Sequence, residues 1–286
     1  MFILWPQVPF ELTMGGPLGT ILTYFFCFMT QLGDQAFYLI VIPYVLWGRD
    51  KKLGVEIAIM NITSGITNSV LKDLLKVPRP PKKDQASCAA TSSYSFPSGH
   101  AQGASSFWTY VSVTLKNKGL MLVGIILTVL ISYSRIFLGV LRWNEVIAGL
   151  AIGVAIALIF YDLRKPMRKV LEKMTHTQRL ILAIAVPLLM FLATGSGTYA
   201  QLIGFLMGVL VGAELEATNL GMPDPKTGAV RWRRLIIGYT ICGLILFGLG
   251  HFGSNIPGWQ FIVYTLAGMG VTFFAPLAFS AIEQWD

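Results

Sequence analysis

Charge is scarce in this chain. Charged residues make up 13% of its 286 positions, about half of the ~25% that a soluble domain uses to cover a water-facing surface. Cysteine and histidine number three each, which excludes a disulfide framework and leaves few candidates for chemistry that needs an imidazole. Cys27 and Cys242 lie in apolar runs and Cys88 in a polar loop, so the first two read as core-packing side chains. What is abundant is apolar surface: hydrophobic residues reach 54% and the mean hydropathy is +0.64. The composition predicts an all-α, polytopic membrane protein. The net charge of +8, from 22 Lys+Arg against 14 Asp+Glu, is therefore read by its position relative to the bilayer. No nucleic-acid partner is expected. The opening MFILWPQVPFELTM lacks the basic start of a signal peptide and reads as an interfacial lead-in, anchored by Trp5 and interrupted by Pro6 and Pro9.

A spanning helix needs about 17 to 25 mostly apolar residues. Ten segments approach that length, near 15–32, 34–48, 53–76, 98–115, 119–138, 143–161, 180–195, 198–214, 235–251 and 259–282. The first two are separated only by Gly33 and Asp34, the seventh and eighth by Gly195-Ser196-Gly197, so either pair reads equally as tilted or re-entrant. Small residues recur every four positions at Gly149/Gly153 and Gly204/Gly208/Gly212. That spacing permits close helix packing, and it also arises by chance in a glycine-rich chain.

With ten spans, fifteen of the 22 basic residues fall on one side, among them Arg49, Lys51, Lys52, Lys116, Lys118 and the run from Arg164 to Arg179. The positive-inside rule puts those loops and both termini in the cytoplasm. The other seven, Lys72, Lys76, Arg79, Lys82, Lys83, Arg135 and Arg142, gather on the opposite face against that rule. They need a separate reason.

Three sequence pieces meet on that non-cytoplasmic face. Lys72 and Arg79, followed by Pro80, close the third segment; seven residues make nearly two helical turns, so the pair shares a face if the helix persists. Phe96-Pro97-Ser98-Gly99-His100 opens the fourth with residues suited to a helix start, where free N–H groups form an anion site. Ser134-Arg135, the turn around Gly139-Val140-Leu141 and then Glu145 link the fifth and sixth. Singly, each has a plain reading: Lys72 as a snorkelling lysine, Arg135 as an interfacial anchor, His100 as a hydrogen-bonded helix-start residue. His176 reads as solvated in a basic connector and His251 as interfacial. Order and spacing on one face favour a site for a phosphate dianion. Asn61, Thr63, Ser64, Thr67, Asn68 and Ser69 give the third segment a polar side, which lines that pocket or hydrogen-bonds between helices.

Lys72-x6-Arg79-Pro80, Pro97-Ser98-Gly99-His100 and Ser134-Arg135 together resemble the tripartite signature of the type-2 phosphatidic acid phosphatases, relatives of the vanadium haloperoxidases. The resemblance implies a six-helix membrane phosphatase core within residues 1–165, a basic cytoplasmic connector over 166–179, and about four further transmembrane helices in 180–286. Longer members such as sphingosine-phosphate and glucose-6-phosphate phosphatases also carry extra helices. It further implies a metal-free, cofactor-free reaction on a phosphorylated lipid or small phosphomonoester. By matching position, Lys72, Arg79, Ser98, Gly99 and Arg135 bind the phosphoryl oxygens, and His100 protonates the leaving alkoxide. A histidine six residues after the third-motif arginine attacks phosphorus, oriented by an acid four residues later.

Here the chain departs from the pattern. Position 141 is leucine, and Glu145 fills the acid position. Leucine has no lone pair, and loss of a nucleophile lowers a rate by roughly 10⁶-fold, about 8 kcal/mol of barrier. A deliberate replacement would spare every other motif residue, and every other one is in place. A natural inactive relative would more often have lost several. A shifted third motif is disfavoured, since Gly139-Val140 and the Glu145-x3-Gly149 stretch fit the turn and helix start. The expectation is a phosphatase scaffold whose present chain is inactive, with a non-catalytic phospholipid-binding or transport protein as the alternative.

Overall fold

The computed structural model describes residues 16–81, 85–89, 93–194, 198–250, 253, 256 and 258–283. The lead-in with Trp5, the cations Lys82 and Lys83, the Gly195-Ser196-Gly197 break and His251 lie outside the described residues. Regular structure among the described residues is helical throughout. In chain order the helices are α1 (Pro17–Gln31), α2 (Gln35–Gly48), α3 (Lys51–Leu75), α4 (Gly99–Leu115), α5 (Lys118–Phe137), α6 (Trp143–Glu172), α7 (His176–Thr194), α8 (Thr198–Asn219), α9 (Gly228–Leu249) and α10 (Trp259–Glu283), with one short 3-10 turn at Ser87–Ala89. Each of the ten apolar segments coincides with one of them.

The chain is an integral membrane protein. Helices α5 to α10 are long and apolar enough to cross a bilayer, and α1 with α2, broken at residues 32–34, makes a seventh candidate if counted as one span. Helices α3 and α4 are not among these. The first is diluted by its Asn, Thr and Ser positions, and the second is only 17 residues long with Gln102, Ser105 and Ser106 buried along it. The basic stretch at 166–179 is mostly helical, since α6 continues to Glu172 and α7 begins at His176.

The chain groups into two compact units, Met1–Phe37 with Thr67–Tyr161, and Tyr38–Ile66 with Asp162–Asp286. In the first, α6 lies against α4 where two glycines face it. A Cβ at Gly149 would meet the Ser98 carbonyl, and one at Gly153 the Ser105 hydroxyl and the Gln102 carbonyl. The four-residue glycine spacing is therefore a backbone-contact seam. An apolar cluster of Phe26, Met29, Ala86, Ala89, Ala101, Leu138, Val140, Leu141 and Val146 fills this unit's core.

In the second unit Gly204, Gly208 and Gly212 of α8 face the Phe261 carbonyl, the Thr265 carbonyl and the Thr272 side chain of α10. Helix α10 contains a π-helical stretch, Gly270–Phe274. The Trp47 indole N–H donates to the Val271 carbonyl in that stretch at 2.8 Å, satisfying the polar end of a fully buried ring. Arg234, itself buried, pairs with Glu283 at 2.6 Å. His176 is not merely solvated: its Nδ1 lies 2.8 Å from Glu214 Oε1 and 2.9 Å from Thr218 Oγ1. One turn of α8 presents both groups to it.

Candidate functional site

The site lies wholly within the first unit and is assembled from helix ends. Helix α3 stops at Leu75 because Lys76 takes a left-handed conformation (φ 47), and Pro78 and Pro80 cannot resume the helix. Lys72 and Arg79 therefore do not share a helical face. They converge through the loop: Lys72 Nζ donates to the Tyr94 carbonyl at 2.8 Å, and Arg79 Nη2 to the same carbonyl at 3.2 Å. The Ser93 hydroxyl accepts from both, at 3.3 and 3.1 Å. Arg79 Nη1 reaches the Val140 carbonyl at 3.2 Å. Burial holds the Arg79 guanidinium below its ordinary value and the Glu145 carboxylate opposes that shift; arginine starts high enough to remain a cation at neutral pH.

Ser98 caps α4, its Oγ accepting the Ala101 N–H at 3.3 Å while its own N–H donates to the Glu145 carbonyl at 3.0 Å. Pro97 thus precedes the cap, where it cannot propagate the helix backwards. Asn68 braces the same corner, donating to the Pro97 carbonyl at 3.2 Å and to Gln102 Oε1 at 2.9 Å. A Cβ at Gly99 would come 3.1 Å from Asn68 Oδ1, a tight contact that the Asn68 side chain would have to yield to. Of the two readings of the polar side of α3, Asn68 takes the interhelical one.

Helix α5 ends at Phe137, and Gly139 at φ 72 reverses the chain, as helix-terminating glycines do. The N–H groups of Val140 and Leu141 both fold back onto the Arg135 carbonyl at 3.1 Å. This turn brings Leu141 beside the arginine that precedes it by six positions. Arg135 is 3% exposed. Its Nη1 donates to Thr30 Oγ1 at 2.7 Å and Nη2 to the Ala89 carbonyl at 3.3 Å, while Nε has no hydrogen-bond partner. A buried guanidinium held by neutral oxygens is a strong electrostatic invitation to an anion.

Lys72, Arg79, Gly99, His100, Arg135 and Leu141 line one cavity of about 190 Å³, together with Thr30, Gln31, Asp34, Cys88, Ala89 and Ser93. That is below the roughly 300–1,000 Å³ that encloses a drug-sized ligand, a size suited to a headgroup. Ser98 and Glu145 do not line it; both are fully buried behind it. The sequence singled out none of Thr30, Gln31, Asp34 or Ser93 for this site. Thr30, Gln31 and Asp34 belong to the polar break between α1 and α2, read only as an interruption between spans. Gly33 in that break lets His100 pack close, since a Cβ there would lie 3.0 Å from the ring's Cδ2.

The core-packing assignment of Cys27 is corrected. Cys27 is joined to Cys88 by a disulfide across 61 residues of chain, because the loop at 85–89 folds back onto the α5–α6 turn, Ala86 N–H donating to the Leu138 carbonyl at 3.0 Å. Cys242 is free. Among the described residues, no three His, Cys, Asp or Glu side chains group as metal ligands.

An all-helical membrane fold with a buried cationic cavity at its helix ends defines a membrane protein with a site for an anion. Residues 53–169 match the PAP2 superfamily, and residues 200–284 match the transmembrane extension of the PAP2 superfamily phosphatases. The chain belongs to the PAP2 superfamily. It is similar to sphingosine-1-phosphate phosphatase 1 of Rattus norvegicus, 25% identical over 91% of this chain and 72% of that protein. It is also similar to phosphatidylglycerophosphatase B of Bacillus subtilis (strain 168), 26% identical over 51% of this chain and 76% of that one. Among solved structures, the transmembrane PAP2 type phosphatidylglycerolphosphate phosphatase from Bacillus subtilis matches with a TM-score of 0.45 and 23% identity, covering 51% of this chain and 78% of that chain.

Proposed function

We propose that the cavity receives the phosphoryl headgroup of a phosphorylated lipid, on a scaffold built for metal-independent hydrolysis through a phosphohistidine. The observation that carries this reading is the buried Arg135 guanidinium, its Nε unpartnered, in one cavity with Lys72 and Arg79. These three cations would hold the phosphoryl oxygens, with the Gly99 N–H at the start of α4. Ser98 would fix that helix start rather than bind phosphate directly. His100, lining the same cavity, would protonate the departing lipid alkoxide. Names of the similar proteins support a lipid phosphate as substrate class.

Position 141 would supply the attacking nitrogen, and leucine there leaves the present chain able to bind but not to form the phosphoenzyme. Non-catalytic phospholipid binding or transport is the reading that Leu141 favours as it stands. We further place the core at 1–165, the connector at 166–179 and the extension at 180–286, with ten spans, cytoplasmic termini and the cavity on the non-cytoplasmic face. The Cys27–Cys88 disulfide beside the cavity supports that orientation, because disulfides persist in oxidising compartments.

The test uses the full chain in detergent or nanodiscs. It should bind a long-chain phosphomonoester without turnover, and Leu141→His should raise hydrolysis by several orders of magnitude, roughly up to the 10⁶-fold that nucleophile loss removes. No hydrolysis by a folded Leu141→His chain across monoesters and pyrophosphates would discard the phosphatase scaffold and leave binding or transport. Equal hydrolysis by both chains would discard the phosphohistidine route.

A further inference from the structure

The second unit gathers its charge at one end. Ion pairs join the helix termini there: Arg168–Glu56 at 3.1 Å, Arg179–Glu214 at 2.8 Å, Lys51–Glu216 at 3.0 Å and Arg234–Glu283 at 2.6 Å. A charged layer across the ends of membrane helices marks the level of the lipid headgroups. Helix α9 begins in that layer with Arg231-Trp232-Arg233-Arg234. Trp232 is 65% exposed, as an aromatic anchor at the membrane interface would be.

The arginines of this run are not equivalent. Arg234 is buried and paired with Glu283, and the exposed Arg233 reaches the same carboxylate at 3.3 Å. Arg231 differs from both. Its side chain lies along Gly48 at the end of α2, where an added Cβ would come 3.1 Å from the Arg231 Cγ. Among the described residues Arg231 makes no ion pair within 4.0 Å, and its Nε is buried without a hydrogen-bond partner. A buried donor left open is costly, and an incoming acceptor removes that cost.

Two plain readings do not account for that donor. An arginine that only sets topology needs a charge in water, not a buried Nε. A cation beside the end of α2 gains from the helix dipole. The Val45 carbonyl there is already taken by the Arg49 and Asp50 N–H groups, at 3.0 and 2.9 Å, and no carbonyl accepts from Nε.

We propose that Arg231 and Arg233 form a headgroup site for an anionic phospholipid of the surrounding bilayer, independent of the phosphate cavity in the first unit. Guanidinium N–H groups match the geometry of phosphate oxygens. The acyl part also has a track. Trp232, Ile236, Leu244 and Phe247 are all exposed and lie along one side of α9, running from the arginines into the membrane. An apolar stripe that begins at a cationic end fits a lipid lying alongside the helix. A zwitterionic headgroup would bring an ammonium beside the unpaired Arg231, so the site discriminates by charge.

Lipid preference of the full chain in nanodiscs tests this, with labelled phosphatidylglycerol competing against phosphatidylcholine. The intact chain should prefer phosphatidylglycerol by about tenfold or more. Arg231→Gln should cut that preference about fivefold, the worth of one basic residue at an anionic lipid surface. Arg233→Gln, at an exposed position, should cut it by a similar factor and keeps the test open if the half-buried variant does not fold. Lys165→Gln removes the same charge from an exposed lysine of α6 and should change the preference less than about twofold. Arg79→Gln, in the phosphate cavity, should leave it unchanged. Equal losses in Lys165→Gln and Arg231→Gln would reduce the effect to general charge and overturn a defined site. A preference lost in Arg79→Gln would put the lipid in the cavity instead. Displacement of the label by inorganic phosphate would assign a soluble anion and overturn the lipid. No preference in the intact chain would overturn this inference while the phosphate-cavity reading stands.

Discussion

Glu145 accepts the Arg142 backbone N–H through Oε2 at 2.7 Å, and its other oxygen, though fully buried, has no hydrogen bond. Its contact for that oxygen is a loose ion pair at 3.9 Å with Arg142. The carboxylate is thus held against the peptide that joins Leu141 to Arg142, with one acceptor unused. A buried acceptor without a donor is costly, about 1–3 kcal/mol, and an imidazole N–H from position 141 is the donor that would satisfy it. In a Leu141→His chain, a second change of Glu145→Gln should lower hydrolysis by roughly 10²- to 10⁴-fold, as when the acid of a catalytic triad is made neutral. Helix content should be unchanged. Steady-state rates on one lipid phosphate check this, and equal rates with Glu and Gln would show that the carboxylate does not orient the imidazole.

Arg135 spans two partners, Thr30 on α1 and Ala89 in the 3-10 turn, with one planar fork. Lysine retains the charge but cannot reproduce that geometry. Arg135→Lys should therefore weaken binding of a long-chain phosphate by about tenfold or more, and lower stability by about 1–3 kcal/mol through the abandoned oxygens. Ligand binding and thermal unfolding measured on the same preparation separate the two effects. Unchanged affinity would remove Arg135 from the phosphate cradle.

How far the sequence carried this picture is clearest at particular residues. The helices were legible because their apolar length is set by the bilayer, and Lys72, Arg79, His100 and Arg135 because a spacing pattern joins them. Lys76 was not legible as a helix stop: a left-handed lysine has no sequence signal, so Arg79 was expected on the α3 face. Asp34 escaped for a different reason. It sits in a break that hydropathy marks only as an interruption, and its place beside Arg135 depends on how α1 packs on α5. Cys27 looked like any small apolar residue, since pairing depends on where a distant loop returns. His176 looked solvated because its partners Glu214 and Thr218 stand on a helix far along the chain.

Gly208 lies where α8 and α10 approach through their backbones. A Cβ there would overlap the Thr265 carbonyl and crowd Met269 and Gly268. None of these is the far end of a flexible side chain, so relief requires the helices to separate. Gly208→Val should destabilise the C-terminal extension by about 1–3 kcal/mol or more, the cost of overpacking a tight seam. The comparison is Gly243→Val, at a glycine with open space around its Cβ position, which should be nearly neutral apart from helix propensity. Thermal stability in one detergent provides the measurement. Equal shifts for the two variants would mean that the glycine seam is not a packing contact.

The disulfide offers a test of both stability and cavity geometry. Cys27 on α1 and Cys88 in the 3-10 turn are bonded across 61 residues, and the next residue, Ala89, supplies the carbonyl that holds Arg135 Nη2. Closing a loop of that length removes unfolded-state entropy worth about 4 kcal/mol, and disulfides typically deliver about 2–4 kcal/mol of stability. Cys27→Ser with Cys88→Ser should lower the unfolding transition accordingly, and a reductant should lower the disulfide-bonded chain to the same value without affecting the double variant. Phosphate-lipid affinity should fall with it by a smaller factor, because the Ala89 carbonyl loses its tether while the three cations remain. Thiol titration of the denatured chain should count one free group, Cys242, rising to three on reduction. Three free thiols before reduction, in protein taken from a native membrane, would place this loop in a reducing compartment and reverse the proposed orientation of the cavity.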